Sequence, residues 1–396
     1  MLKQHVAQLT ADPMQGRATG DTGYQLAANY VASVLLELGL LPLQQELVPA
    51  ASIQDYFLQV PMRKETLQAA RLQAGKKSWS LGRALYINRA LPQGELSDSS
   101  WVLAGNGDVS ALPSGSLVNK TLVVYYQPGK EAASEREILW KLHRTNPKAI
   151  IWIDAAFKKK YKKSIDNLQE ARIRIDYESN SLQINTRVTA PVIYLSEKTA
   201  KRLWKANKLD WKTSVDRLKK PVSRLVEQKA IYTINTQWLS ESIMVPNVAA
   251  MMPGSEITDS YVLITGHLDH LGVHDKKVHP GADDNGSGSA ALLEMAAMMV
   301  KLRDQGQLPK RTIAFVWFTG EEMGLLGSQY FTQQPPIPID QLMANLNVDM
   351  IGRRDEDHVD DANYIYLIGA DRISTDLHNL SEETNDLCCQ IKLYYR

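Results

Sequence analysis

Cysteine is nearly absent: 396 residues contain two, and these are neighbours, Cys388 and Cys389. A disulfide needs Cβ atoms turned toward each other, so adjacent cysteines seldom bridge, and no disulfide framework holds this fold. An excess of charge of one sign is also lacking. Lys and Arg number 45 against 44 Asp and Glu, a formal net charge of +1. The molecule as a whole therefore carries no electrostatic footprint for nucleic acid. No apolar run approaches the roughly 20 residues that cross a bilayer. Residues 1–10 mix charged and polar side chains where a secretory leader has an apolar stretch, so no signal peptide is read there. What is present is 44% hydrophobic and 22% charged residues, a globular balance at a length that suits two or three domains.

Periodicity and charge divide the chain. Tyr24, Ala27, Ala28, Val31, Val34, Leu35 and Leu38 recur at helical spacing and Gly39 follows, which predicts an amphipathic helix over 21–38. Between residues 151 and 220, 17 Lys and Arg stand against 8 Asp and Glu, while the rest of the chain has 28 against 36. Such a shift marks a separate module, placed at 89–227. Its short apolar runs 121–126, 149–153 and 191–195 read as strands, and 133–143 as a helix. The run Lys158, Lys159, Lys160, Lys162, Lys163 reads as a solvated loop. Beyond residue 247 the β-rich segments 261–265, 312–318 and 345–348 read as strands buried on both faces. The stretch 287–302, apolar on nearly every side, reads as a buried helix. Strands alternating with helices predict an α/β fold, a mixed sheet flanked by helices with a smaller module inserted. The expected domains are 1–88, 89–227 and 228–396.

Four segments at or beyond strand ends carry metal-binding side chains: His267-Leu268-Asp269-His270, Ala282-Asp283-Asp284-Asn285, Gly320-Glu321-Glu322, and Asp349 after Val348. Strand ends of one sheet converge, so these dispersed groups can meet. Zinc takes imidazole nitrogen and carboxylate oxygen where thiolates are absent, and two ions can share a carboxylate and a water. Asp269 is a candidate to fix the second ring nitrogen of His267. Adjacent Glu321 and Glu322 point different ways, so that one binds metal while the other moves protons. His270, His274 and His279 crowd the same region; they read as extra ligands, substrate contacts or, the favoured reading, a solvated loop.

Taken together, these motifs resemble the M28 family of metallopeptidases, the aminopeptidase-like zinc exopeptidases. The opening Leu9-Thr10-Ala11-Asp12-Pro13-Met14-Gln15-Gly16-Arg17 is similar to the N-terminal segment of such enzymes, and the inserted module to their protease-associated (PA) domain. The resemblance implies a phosphorylase/hydrolase-like zinc exopeptidase fold and a centre of two Zn2+ ions. His267 and Asp349 hold one ion, Glu322 holds the other, and Asp283 bridges them. Asp269 orients His267, and Glu321 is the general base. It also implies a cis peptide after the bridging residue, between Asp283 and Asp284. The implied substrates are peptides or small proteins with a free N-terminus, in an extracytoplasmic setting.

One element departs from the family pattern. The second ion's final His, due well after Asp349, has no counterpart: His358 lies in an acidic loop and His378 in a surface helix over 371–387. The expectation is a chain truncated before that motif, after a strand over 390–395, with the second ion one ligand short. Two other readings on the same scaffold are a glutaminyl cyclase and a non-catalytic receptor; the tandem Glu321-Glu322 and the retained ligands weigh against them.

Overall fold

The computed structural model describes all residues except 45, 83, 89, 90, 92, 114, 128–133, 162–169, 178–189, 362 and 396, and the backbone alone of 158 and 159. Of the lysine run, only Lys160 therefore has a described side chain. Two units form: Met1–Met62 with Ile243–Arg396, and Arg63–Ser242. The second is wider than the 89–227 expected from charge. Its outer strands, Phe57–Ala74 and Glu227–Met252, each run across a unit boundary without a change of composition that a charge count detects.

In the first unit, strands Leu342–Asn347, Ile257–His267 and Arg311–Phe318 lie side by side and parallel. The end of Glu227–Met252 runs antiparallel beside the third, Val248 opposite Trp317, which makes the sheet mixed. Side chains alternate across a strand. Ala249, Met251, Leu263, Ala314 and Val316 thus share one packed cluster with Phe331 of helix Leu326–Gln333. Phe315 and Trp317 alternate with these positions, and the Trp317 indole donates to the Ser289 carbonyl at the start of helix Gly288–Asp304. That helix buries Leu292, Leu293, Ala296 and Val300 on one side only; Met298 is 62% exposed, so the expectation of burial all round does not hold. Likewise Leu342–Asn347 is the edge of the described sheet, and Met343 and Leu346 are exposed rather than buried. Thr22–Glu37 is helical as its spacing predicts, with Tyr24, Ala27, Ala28, Val31 and Leu35 inside.

The second unit has parallel strands Thr121–Tyr126, Ala149–Asp154 and Val192–Ser196 in direct register. Alternation sorts their side chains into two cores. Val123, Tyr125, Ile151, Ile153, Ile193 and Leu195 pack with Trp101 and Trp204; Leu122, Val124, Ile150, Trp152 and Val192 pack with Ile138 and Leu142 of helix Glu135–His143. Among the described residues no helix is long and apolar enough to cross a membrane.

Candidate metal centre

Register delivers the first ligands. His267 stands opposite Phe318, and Thr265 opposite Asn347, at the carboxyl ends of three parallel strands. Glu321 and Glu322 follow the second of these ends by a few residues, and Asp349 follows the third by two. Parallel strands carry such ends to one edge of the sheet, where ligands gather.

His267 is 3% exposed. Its Nδ1 lies 3.0 Å from the backbone carbonyl of Asp269. A carbonyl only accepts, so Nδ1 carries the hydrogen and Nε2 of the neutral ring keeps its lone pair. Nε2 has no hydrogen-bond partner. It faces Asp284 Oδ1 at 3.1 Å and Asp349 Oδ1 at 3.5 Å, with Glu321 Oε2 at 4.0 Å. Burial alone would push this imidazole's pKa down, but the Asp349 carboxylate, with Asp269 and Glu321, outweighs burial and lifts it to about 9. The nitrogen thus competes for a cation, proton or metal.

Asp284, rather than the expected Asp283, faces the other donors and is common to both groups that could hold a metal ion. Asp284 faces both His267 and, through Oδ2 at 3.8 Å, His270. Asp283 turns elsewhere: its Oδ1 accepts from the Gly352 N–H at 2.7 Å, and Oδ2 pairs with Arg353 at 2.9 Å. Two adjacent acids look alike in sequence. The irregular turn decides between them, with Gly281 at φ +58° and non-helical backbone at Asp284 and Asn285. The cis peptide lies accordingly one residue later than expected, at Asp284–Asn285. Asn285, fully buried, donates to the Val348 carbonyl and accepts from Gly288 N–H, tying the Asp349 strand end to the helix start.

Asp269 also acts differently from the expectation. Its carboxylate is 3.8 Å from His267 Nδ1, and its backbone carbonyl makes the contact instead. The carboxylate accepts from the N–H groups of Glu321 (3.0 Å) and Glu322 (3.3 Å) and from the Thr19 hydroxyl (2.9 Å). It therefore holds the Glu-Glu turn. Full burial raises its pKa, while the His267 charge and these donors oppose the rise. Glu321 and Glu322 are also raised, first by burial and then by neighbouring carboxylates.

Arg17, wholly buried, donates to the carbonyls of Leu268, Leu9, Pro280 and Gly281. One guanidinium so fastens the His267–His270 loop to the turn that carries Asp284. Burial pulls its pKa down to about 10, against the charges of Asp269 and Asp284. The opening motif pointed to Arg17 only by resemblance. Thr19 and Asn285 carried no signal, since a hydroxyl and an amide are common in any loop.

Two donor sets result, each within 4.8 Å: His267, Asp284 and Asp349; and His270, Asp284 and Glu322. Ligands of tetrahedral zinc at about 2.0–2.1 Å from the ion stand roughly 3.3 Å apart. The 3.1 and 3.5 Å around His267 Nε2 bracket that value. Nitrogen and carboxylate donors with an orphaned buried lone pair fit zinc. His358 and His378 have other partners: His358 pairs with Asp355 at 2.8 Å and stacks on Tyr364, and His378 packs on Tyr395. The helix expected around His378 is broken at Ser374, leaving Thr375–Thr384.

The structure thus defines an α/β sheet with a cluster of potential cation ligands at the carboxyl edge of its parallel strands. Residues 247–385 match the model of Peptidase family M28. A protein described as "Probable leucine aminopeptidase" from Arthroderma otae is 40% identical over 109 residues, covering 27% of this chain and 30% of that one. A "Probable zinc metalloprotease" from Pyrenophora teres f. teres is 36% identical over 129 residues, 32% and 27% of the two chains. The chain thus spans less than a third of the length of these curated relatives. The solved aminopeptidase from Aneurinibacillus sp. strain AM-1 is similar in fold, with a TM-score of 0.51 at 16% identity over 100% of this chain and 79% of that one.

Proposed function

We propose that the chain is a zinc-dependent exopeptidase, an aminopeptidase that removes residues from peptides or small proteins with a free N-terminus. The observation that carries this reading is the buried His267 Nε2, bare of hydrogen bonds and 3.1 and 3.5 Å from two carboxylates. The names of these curated relatives support the choice of zinc and of aminopeptidase action.

His267, Asp284 and Asp349 would hold one ion, and Asp284 and Glu322 would serve a second. Bound zinc supplies Lewis acidity, which acidifies a water and polarises the scissile carbonyl. Glu321 belongs to neither donor set, and its side chain is 35% exposed, open to water and substrate. It takes a proton from the attacking water as oxygen bonds to the acyl carbon. The C–N bond then breaks, and Glu321 returns the proton to the leaving amine. Asp269 keeps Glu321 and Glu322 in their separate roles by accepting from both backbone N–H groups. The unit Arg63–Ser242, with its parallel strands and paired cores, is read as the protease-associated-like module.

Zinc-loaded chain assayed on leucyl amide and its N-acetyl counterpart tests the proposal. Release from the free amine alone, lost to a chelator and regained with zinc, is the expected result. Equal cleavage of the acetylated compound, or no cleavage by the loaded chain, overturns it.

A further inference from the structure

We propose that Cys388 and Cys389 together form a dithiol site for a soft, thiophilic atom, the trivalent arsenic of an organoarsenical. They are the chain's two cysteines, and both are free and exposed. Neither belongs to a donor set of the metal centre. Successive side chains of a helix point about 100° apart and do not face each other. Here the two Sγ atoms nevertheless stand 2.7 Å apart. The hydrogen bond to Cys389 pushes the Cys388 thiol above its ordinary pKa, which disfavours it as a nucleophile acting alone. The two sulfurs instead offer themselves as a pair, on one side of the turn.

The backbone that presents the pair is fastened on both sides. The cysteines end the helical turn Asn385–Cys389, and the Gln390 N–H donates to the Asn385 carbonyl at 2.8 Å. The Asn385 side chain accepts from the Ile391 N–H at 3.0 Å and donates to the Ile391 carbonyl at 2.9 Å. Strand Lys392–Tyr395 follows at once, parallel to Tyr364–Leu367. Asn385 thus closes a loop around the cysteines and leaves their thiols in solvent. A disulfide between such neighbours must close a small ring over one peptide bond, against the usual Cβ geometry. An atom set between the sulfurs enlarges that ring. Its first bond to sulfur makes the second intramolecular, at high effective concentration. Thiolate sulfur suits soft acceptors, while the imidazole and carboxylate donors of the metal centre suit zinc. With an organoarsenic(III) oxide, two S–H bonds break and two As–S bonds form. The oxygen leaves with both protons as water. Arsenic stays trivalent, so no oxidant is needed.

Phenylarsine oxide tests the site on the chain after reduction by a phosphine and removal of the reductant. Intact mass should show one phenylarsenic group per chain, and titratable thiols should fall from two to none. Excess 2-mercaptoethanol should leave the adduct in place, and 2,3-dimercaptopropanol should strip it, because a second dithiol matches both As–S bonds at once. Cys388→Ser and Cys389→Ser, each shown to be folded by circular dichroism, should hold phenylarsenic only in a form that 2-mercaptoethanol removes. Thiols that stay titratable in the treated unmutated chain overturn the site, as does an adduct there that 2-mercaptoethanol strips. A resistant adduct on either single variant overturns it equally, since one sulfur would then suffice.

Discussion

Both units leave polar atoms buried without hydrogen bonds, and the contrast lies in their kind and spacing. In the first unit they include His267 Nε2, His270 Nδ1 and Glu322 Oε1, electron-pair donors gathered about Asp284. In the second they include the indole N–H groups of Trp101, Trp152 and Trp204, hydrogen donors set among aromatic and aliphatic side chains. A buried N–H left unpaired costs about 1–3 kcal/mol and calls for no ligand. Converging lone pairs repel, and a cation turns that repulsion into binding. On the proposed reading, burial prepares a site in one unit and packs a core in the other.

The deepest cut into the first unit's chemistry is at its free carboxylate. Glu321→Ala should lower turnover by about 10²–10⁴-fold, the worth of general base catalysis, while zinc content stays that of the unaltered chain. Loss of zinc in this variant, or activity left intact, refutes the division of labour between Glu321 and Glu322.

Arg17→Met probes how the site is held. Removing the guanidinium strips partners from four buried carbonyls, at about 1–3 kcal/mol for each that water does not reach. Stability to urea should fall by several kcal/mol, and zinc affinity should fall with it, because both ligand-bearing loops lose their tie. Unchanged zinc affinity in the folded variant would reduce Arg17 to a packing residue. The matching cut in the second unit is Trp101→Ala. Trp101 is fully buried with its ring 4.8 Å from Trp204. Its loss should cost about 3–5 kcal/mol. Below the melting range, zinc content should remain unaltered. If Trp101→Ala releases zinc, the contrast between a site-building and a core-building unit fails.

Much of this division was legible in the sequence, and its limits are physical. The strands Thr121–Tyr126 and Arg311–Phe318 announced themselves as apolar runs, because a strand covered on both faces has no polar side to break the pattern. The edge strand Leu342–Asn347 misled for the same reason: its apolar residues are present whether or not anything covers them. At the site, residue type identified His267, Glu322 and Asp349 as candidate ligands that the fold brings to one edge. Direction was hidden, since it depends on backbone torsions at Gly281–Asn285 and on hydrogen bonds from residues some 250 positions away, such as Thr19 to Asp269. The resemblance implies Asp283 as the bridge, and the sequence favours a solvated loop for His270; in the structure Asp284 faces the other donors and His270 is buried.

That reversal gives the smallest predicted effect. Asp283 accepts from Gly352 and pairs with Arg353, whose side chain is 70% exposed. Asparagine keeps an acceptor for Gly352 and gives up an ion pair that solvent screens, worth less than about 1 kcal/mol. Asp283→Asn should therefore retain the zinc of the unaltered chain and most of its turnover. Asp284→Asn, one residue on, removes the shared charge from both donor sets and should release zinc from each. Elemental analysis of the pair decides which acid is the bridge. Zinc lost from Asp283→Asn and kept by Asp284→Asn would restore the assignment that the family resemblance implied.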